Sequence, residues 1–183
     1  MDKPDEALEE VIEEPLGDDD IRHYLPNAKI MKYSQLSNYP TIDDLLPKNI
    51  DFAILLYEDA PNKGHWVCVC KYKPYIEFFD SYGGSPDSQL SWVSSGVRKE
   101  LDQCKTYLTN LMNKCKYKVV YNPIKYQEDE EDINTCGRHC VFRILNLMAK
   151  GRNLSDYYKL MQYIKGKTDL NYDEIVAEYI DKT

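Results

Sequence analysis

Two apolar runs, His65–Lys71 and Tyr75–Asp80, are separated by so few residues that an antiparallel hairpin is the simplest way to connect them. Lys71-Tyr72-Lys73-Pro74 has the composition of a tight turn. With an even loop centred on Tyr72-Lys73, Lys71 faces Pro74, Val69 faces Ile76, Val67 faces Phe78 and His65 faces Asp80. Residues paired in this way have Cβ atoms about 4.5–5.5 Å apart, within reach of an imidazole and a carboxylate. The apolar pairs support that register, because a one-residue slip would bury the wrong face. A carboxylate beside a histidine fixes its tautomer, stabilises the imidazolium and leaves the other ring nitrogen free to take a proton. Taken without the rest of the chain, the more ordinary reading is a surface His–Asp pair of no consequence.

The remaining pattern is mixed. Phe52–Tyr57 fits a buried strand, and Lys118–Tyr121 another. Gly83, Gly84 and Pro86 interrupt the β pattern. Leu101, Cys104, Leu108, Leu111 and Cys115 recur at helical spacing, as do Val141, Ile144, Leu145 and Met148, the latter series ending at Gly151. Ser155 and Asn171 are natural N-caps of two further helices, with Gly166 closing the first. Nearer the start, Asp18–Asp20 cap a short helix through Leu25, and Thr41 caps Ile42–Leu46. The sum is α+β, a small central and mainly antiparallel sheet flanked by helices. The 183 residues suit one domain, expected over 18–183, after an acidic and mobile segment 1–17.

The net charge of −8 is concentrated in the first 20 residues and in the run Glu128, Asp129, Glu130, Glu131, Asp132. Both read as solvated segments. An acidic chain is a poor match for a phosphate backbone, so no nucleic-acid partner is expected, although Lys114, Lys116 and Lys118 form a local basic patch. No stretch approaches the roughly 18 apolar residues of a membrane span. The segment Met1–Asp20 has no apolar core of a signal peptide, so neither a membrane partner nor secretion is expected. Six cysteines without such a signal indicate a reducing compartment, where they serve as core filler, metal ligands or nucleophiles.

Cys136 is the candidate nucleophile. Asn134-Thr135-Cys136-Gly137 leads into an apolar helical stretch beginning near Arg138, which places the thiol at a helix N-terminus. Backbone N–H groups and the helix dipole stabilise a thiolate there, and the same N–H groups can bind an oxyanion. Gly137 removes a side chain where a substrate backbone would approach. Cys140, one turn further in beside Val141, reads as core. His139 is a rival base with nothing in the sequence to orient it, and His23 has no nameable partner. Cys68-x-Cys70 and Cys136-x3-Cys140 with His139 lack the paired C-x-x-C knuckles of a zinc site, so no metal and no cofactor is expected.

Gly64-His65-Trp66, Phe78-Phe79-Asp80-Ser81-Tyr82-Gly83, Gln127 and Cys136-Gly137 followed by Cys140 occur in an order that resembles the adenovirus-protease and SUMO-protease superfamily of cysteine peptidases. The resemblance spans about residues 50–150. Within that superfamily, Gly-His-Trp and Asn-Thr-Cys-Gly-Arg-His-Cys are most similar to the maturation proteases of virophages (mavirus-type) and polinton elements. The resemblance implies an adenain-like cysteine protease fold, with His65 as base, Asp80 as its partner and Cys136 as nucleophile. It implies Gln127 as an oxyanion donor and Trp66 at the border of a substrate channel. It further implies cleavage after small residues, often glycine, in a viral capsid or structural precursor, within the virion and the infected-cell cytoplasm. Gln127 lies nine residues before Cys136, slightly more than in relatives, so the acidic loop must bulge outward. The DNA stimulation of the adenoviral enzyme is not carried over to so acidic a chain. The rival functions are an isopeptidase acting on ubiquitin-like or SUMO-like conjugates and a non-catalytic binding module of the same fold.

Overall fold

In the computed structural model, which describes residues 5–182, the apolar run at Phe52–Tyr57 is the middle of a strand buried on both faces. Five strands, β1 (Lys29–Lys32), β2 (Ile50–Ala60), β3 (Lys63–Tyr72), β4 (Tyr75–Phe79) and β5 (Lys118–Tyr121), lie side by side in sequence order. The central strands β2, β3 and β4 are antiparallel, and each edge strand runs parallel to its neighbour. The helices are α1 (Asp5–Glu13), α2 (Asp18–Tyr24), α3 (Ile42–Leu45), α4 (Ser95–Glu100), α5 (Tyr107–Lys114), α6 (Cys136–Lys150), α7 (Leu154–Thr168) and α8 (Tyr172–Tyr179). This is the expected α+β architecture.

Alternation along the strands feeds two cores. Ala53, Leu55, Val67, Val69, Ile76 and Phe78 pack with Leu108 and Leu111 of α5 on one face. Ile54, Cys68, Cys70 and Phe79 pack on the other with Val141 and Ile144 of α6, Tyr157 of α7 and Val176 of α8. Double-sided burial explains why these strands read as continuous apolar runs.

The β3–β4 hairpin forms in a different register from the one expected. Cys68 pairs with Phe79, Val69 with Phe78 and Tyr72 with Tyr75, so the turn is centred on Lys73-Pro74. Proline has no N–H to give a ladder and settles in the turn. His65 is therefore not directly opposite Asp80. The offset is two residues rather than one, which preserves the face each side chain occupies.

Three helix boundaries also differ. The helical spacing from Leu101 yields α5 only from Tyr107 onward. Asp102 is left-handed (φ 53°), and Gln103 is buried, accepting from the Glu58 N–H (2.9 Å) and donating to the Glu58 carbonyl (2.7 Å). That exchange with β2 replaces a turn of helix, and Cys104 is exposed. Helix α7 is capped by Asn153 rather than Ser155, and it runs through Gly166 to close at the left-handed Asp169 (φ 58°). Thr41, Asn171 and Gly151 terminate their helices as expected.

The acidic start is held against the body. Helix α1 packs on α8. The Asn134 N–H and Nδ2 donate to the carbonyls of Ile12 and Glu13, both at 2.9 Å, and the Arg138 guanidinium donates to the Glu14 carbonyl. The part of the segment 1–17 expected to be mobile that lies at residues 12–14 is thus hydrogen-bonded to the loop and helix that carry Cys136. Residues 1–4 of that segment, and Thr183 of the domain, lie outside the described residues.

Candidate active site

His65, near the start of β3, and Asp80, just past the end of β4, meet at one end of the sheet: His65 Nε2 lies 2.7 Å from Asp80 Oδ1. A carboxylate only accepts, so Nε2 carries the proton, and the imidazole is also hydrogen-bonded to the Cys136 thiol. Asp80 is fully buried. Its Oδ1 also accepts the Tyr82 N–H (2.9 Å), its Oδ2 accepts from Gln89 Nε2 (3.1 Å), and its carbonyl accepts from Asn122 Nδ2 (2.9 Å). The Tyr82 ring stacks on a face of the imidazole.

Cys136 is the first residue of α6 and arrives at the same end from the helical layer. Its sulfur accepts the Trp66 backbone N–H at 3.5 Å, while Cys140 Sγ donates to the Trp66 carbonyl at 3.6 Å. Residue 66 therefore ties the first turn of α6 to β3, and Cys140 is core, as expected.

Electrostatics separates Cys136 from the other buried thiols. Burial by itself would lower the His65 pKa, but hydrogen bonds with Asp80 and Cys136, and the charges of both, outweigh it and raise the value to about 10. Burial pushes the Cys136 thiol up; the imidazolium of His65, together with the Trp66 and Gly137 N–H groups, brings it below the ordinary thiol value. Cys68 and Cys140 are held up by burial, and Cys70 by its hydrogen bond with Cys68 and by burial. A thiolate–imidazolium pair backed by a carboxylate is chemically equipped to attack an acyl carbon.

These groups open on a cleft of about 660 Å³ lined by His65, Tyr82, Gly84, Trp92, Gln127 and Cys136. Gln127 is buried, and its Oε1 accepts from Ser81 Oγ (2.7 Å). Its Nε2 donates to the Ile133 carbonyl (3.2 Å) and to Tyr82 Oη (3.4 Å). A second groove of about 960 Å³, bordered by Leu16 and Trp66, shares Asp59, Gly64 and Asn134 with the first. A Cβ on Gly64 would fall 1.8 Å from the Tyr57 carbonyl oxygen, so the β2–β3 pairing beside His65 admits only glycine.

His65, Asp80, Gln127 and Cys136 are thus brought together. Trp66 borders the second groove, with its indole N–H donated to the Leu16 carbonyl (3.0 Å). Gly137 differs from the expectation: a Cβ added there would lie 3.1 Å from Leu16 and 3.2 Å from Trp66, so the space beside it is filled by these side chains and not by open cleft. His139, for which the sequence offered no orienting group, is fully buried and bonded through Nε2 to Asp173 Oδ1 at 2.9 Å. Asp173 comes from α8, too far along the chain for spacing to reveal. Tyr82, Gln89 and Asn122 carry no sequence signal beyond the place of Tyr82 in the Phe78–Gly83 stretch.

The chain has the fold of a cysteine protease. It superimposes on the ASFV pS273R protease with a TM-score of 0.51 over 93% of this chain and 69% of that one, at 15% identity. The C-terminal Ulp1 protease domain, solved in complex with Smt3, the yeast ortholog of SUMO, matches 92% of this chain and 75% of that one at 16% identity, with a TM-score of 0.46. No protein-family model matches the chain. The chain belongs to the family of the uncharacterized protein V9 of Sputnik virophage, with 42% identity over 164 residues, 88% of this chain and 91% of V9. Among the described residues, no helix is long and apolar enough to cross a membrane.

Proposed function

We propose that this chain is a cysteine endopeptidase whose protein substrate is a viral capsid or structural precursor, cut after small residues such as glycine during virion maturation. The observation that carries the catalytic part is the His65–Cys136 pair, with Asp80 Oδ1 2.7 Å behind the imidazole. The viral setting is supported by the virophage relative, and the protease assignment by a fold shared with a viral protease. Action in the virion and the infected-cell cytoplasm belongs to the same reading.

The Cys136 thiolate attacks the scissile carbonyl carbon, forming the C–S bond and moving the π electrons onto oxygen. The Cys136 backbone N–H, which as the first in α6 has no helical acceptor, stabilises that oxyanion, and Gln127 Nε2 joins it by giving up its long 3.4 Å contact with Tyr82 Oη. His65 gives its Nδ1 proton to the leaving amine as the C–N bond breaks. Water then attacks the thioester while His65 takes its proton, and the carboxylic product leaves with the thiolate restored. Asp80 keeps the ring oriented throughout.

The test is limiting iodoacetamide from pH 4 to 9, read on all six cysteines by peptide mass spectrometry, in wild type and His65→Ala. Fastest labelling of Cys136 at low pH, lost without His65, is the expected result. Ordinary or slow labelling of Cys136 in both proteins would defeat the protease reading. Co-expression with the virus's own structural proteins then identifies the precursor, with Cys136→Ala as the uncut control.

A further inference from the structure

We infer that Asp173 is a positioning residue that fixes the spacing between Cys136 and Gln127, an inference that rests on the acyl-transfer reading above. Both ends of the acidic loop converge on this one carboxylate. Oδ1 accepts from the hydroxyl of Thr135, the residue before Cys136, at 2.6 Å. Oδ2 accepts from the N–H of Glu128, the residue after Gln127, at 3.0 Å. Asp173, Thr135 and Gln127 are all buried.

The loop between these anchors carries five consecutive acidic residues, Glu128 to Asp132, whose mutual repulsion favours spreading. Asp173 closes its neck, so the bulge grows outward without moving Gln127 from Cys136. Thr135 is also the N-cap of α6, a position where a hydroxyl ordinarily satisfies one of the first helical N–H groups. It makes no such bond here. Its hydroxyl is committed to Asp173, which leaves the N–H groups at the start of α6 to the nucleophile and the cleft. His139 completes the clamp from within α6, donating Nε2–H to the same Oδ1, and its Nδ1 has no hydrogen-bond partner. The rival base is therefore the anchor of the strut, turned into the core beside Tyr126.

Two reagents on the full-length protein separate positioning from mere folding. Iodoacetamide is displaced at a saturated carbon and requires only the thiolate. 4-Nitrophenyl acetate is attacked at its carbonyl, passes through an oxyanion and releases 4-nitrophenolate, leaving S-acetyl Cys136. Asp173→Asn keeps an acceptor for Thr135 but presents an amide N–H to the Glu128 N–H. It should slow acetylation of Cys136 by about 10²-fold, the scale of losing one oxyanion donor, with alkylation within about twofold of wild type. Gln127→Ala should give the same split, and the double variant should be no slower than Gln127→Ala alone. Thr135→Val, which removes one strut, should show a smaller split in the same direction and serves if Asp173→Asn does not fold. Unchanged acetylation in either folded variant, equal loss of both reactions, or full additivity with Gln127→Ala overturns the inference. A wild type in which neither reagent labels Cys136 ahead of the exposed Cys104 defeats the catalytic reading itself.

Discussion

The ring of Tyr82 lies on the ring of His65, with centroids 4.6 Å apart and planes 18° from parallel. The same residue donates its backbone N–H to Asp80 and receives the Gln127 amide at its hydroxyl, so it touches three of the four groups assigned to catalysis. Stacking of this kind is worth about 0.5–1.5 kcal/mol, and each 1.36 kcal/mol is tenfold in rate. Tyr82→Ala should therefore lower the acylation rate of Cys136 by up to about tenfold, through an imidazole freer to leave its plane. Tyr82→Phe keeps the stack and should stay close to wild type. Equal loss in both variants would assign the effect to the hydroxyl and its contact with Gln127.

The pH dependence follows from the two coupled groups. The Cys136 thiol titrates below its ordinary value, and His65 keeps its proton to about 10. The ion pair occupies the interval between the two apparent values, which belong to the pair rather than to either residue. Turnover should fall on the acid side as the thiolate gains a proton, and on the alkaline side near 10 as His65 loses the proton owed to the leaving group. In His65→Ala the burial that raises the thiol remains and the imidazolium that lowers it is gone. Alkylation of Cys136 at pH 6 should then drop by more than about tenfold. The rate of carboxamidomethylation against pH in the two proteins checks both limbs.

Asp80→Asn keeps size and shape while removing the charge behind His65. The amide can also hold the ring in the wrong tautomer, and in the Ser-His-Asp template the equivalent change costs about 10⁴ in turnover. A loss of about 10²–10⁴ is expected, with the fold retained, because the amide keeps the shape of the carboxylate and its single oxygen still accepts from either Tyr82 N–H or Gln89 Nε2. Gln89→Ala removes one donor from Asp80 Oδ2 and should cost far less, about two- to tenfold. Circular dichroism and acylation kinetics on the same preparations decide it; an active Asp80→Asn would remove Asp80 from the site.

What the sequence made legible was whatever is written in short-range pattern. The strands from 52 to 80 announce themselves by apolar runs, and Cys136 announces itself by preceding a helix. The hairpin shows how a face can be read without its register. His65 and Asp80 meet although Cys68 pairs with Phe79 and the expected ladder is displaced, because only an odd slip would part them. What stayed hidden depends on distant residues. Asp173 reaches His139 and Thr135 from 34 and 38 residues away, and Gln103 trades a turn of helix for two bonds to Glu58, 45 residues earlier. Leu16 fills the space beside Gly137 from 121 positions upstream, where local spacing carries no information.

Helix α6, which begins at Cys136, is anchored to the strand that leads to Asp80 by a buried ion pair. Arg143 grips Glu77 with two bonds, Nη2 to Oε1 at 2.7 Å and Nε to Oε2 at 2.9 Å, and both side chains are sealed from solvent. Tyr72 Oη adds a third bond to the carboxylate at 2.6 Å. Arg143→Met leaves the carboxylate buried without its cation and should cost about 3–5 kcal/mol, about 10 °C in Tm for a chain of this size. Glu77→Leu combined with Arg143→Met removes both charges and should recover most of the stability. Thermal melts of the single and double variants check this. A single variant as stable as wild type would mean that the pair does not fasten α6 to β4.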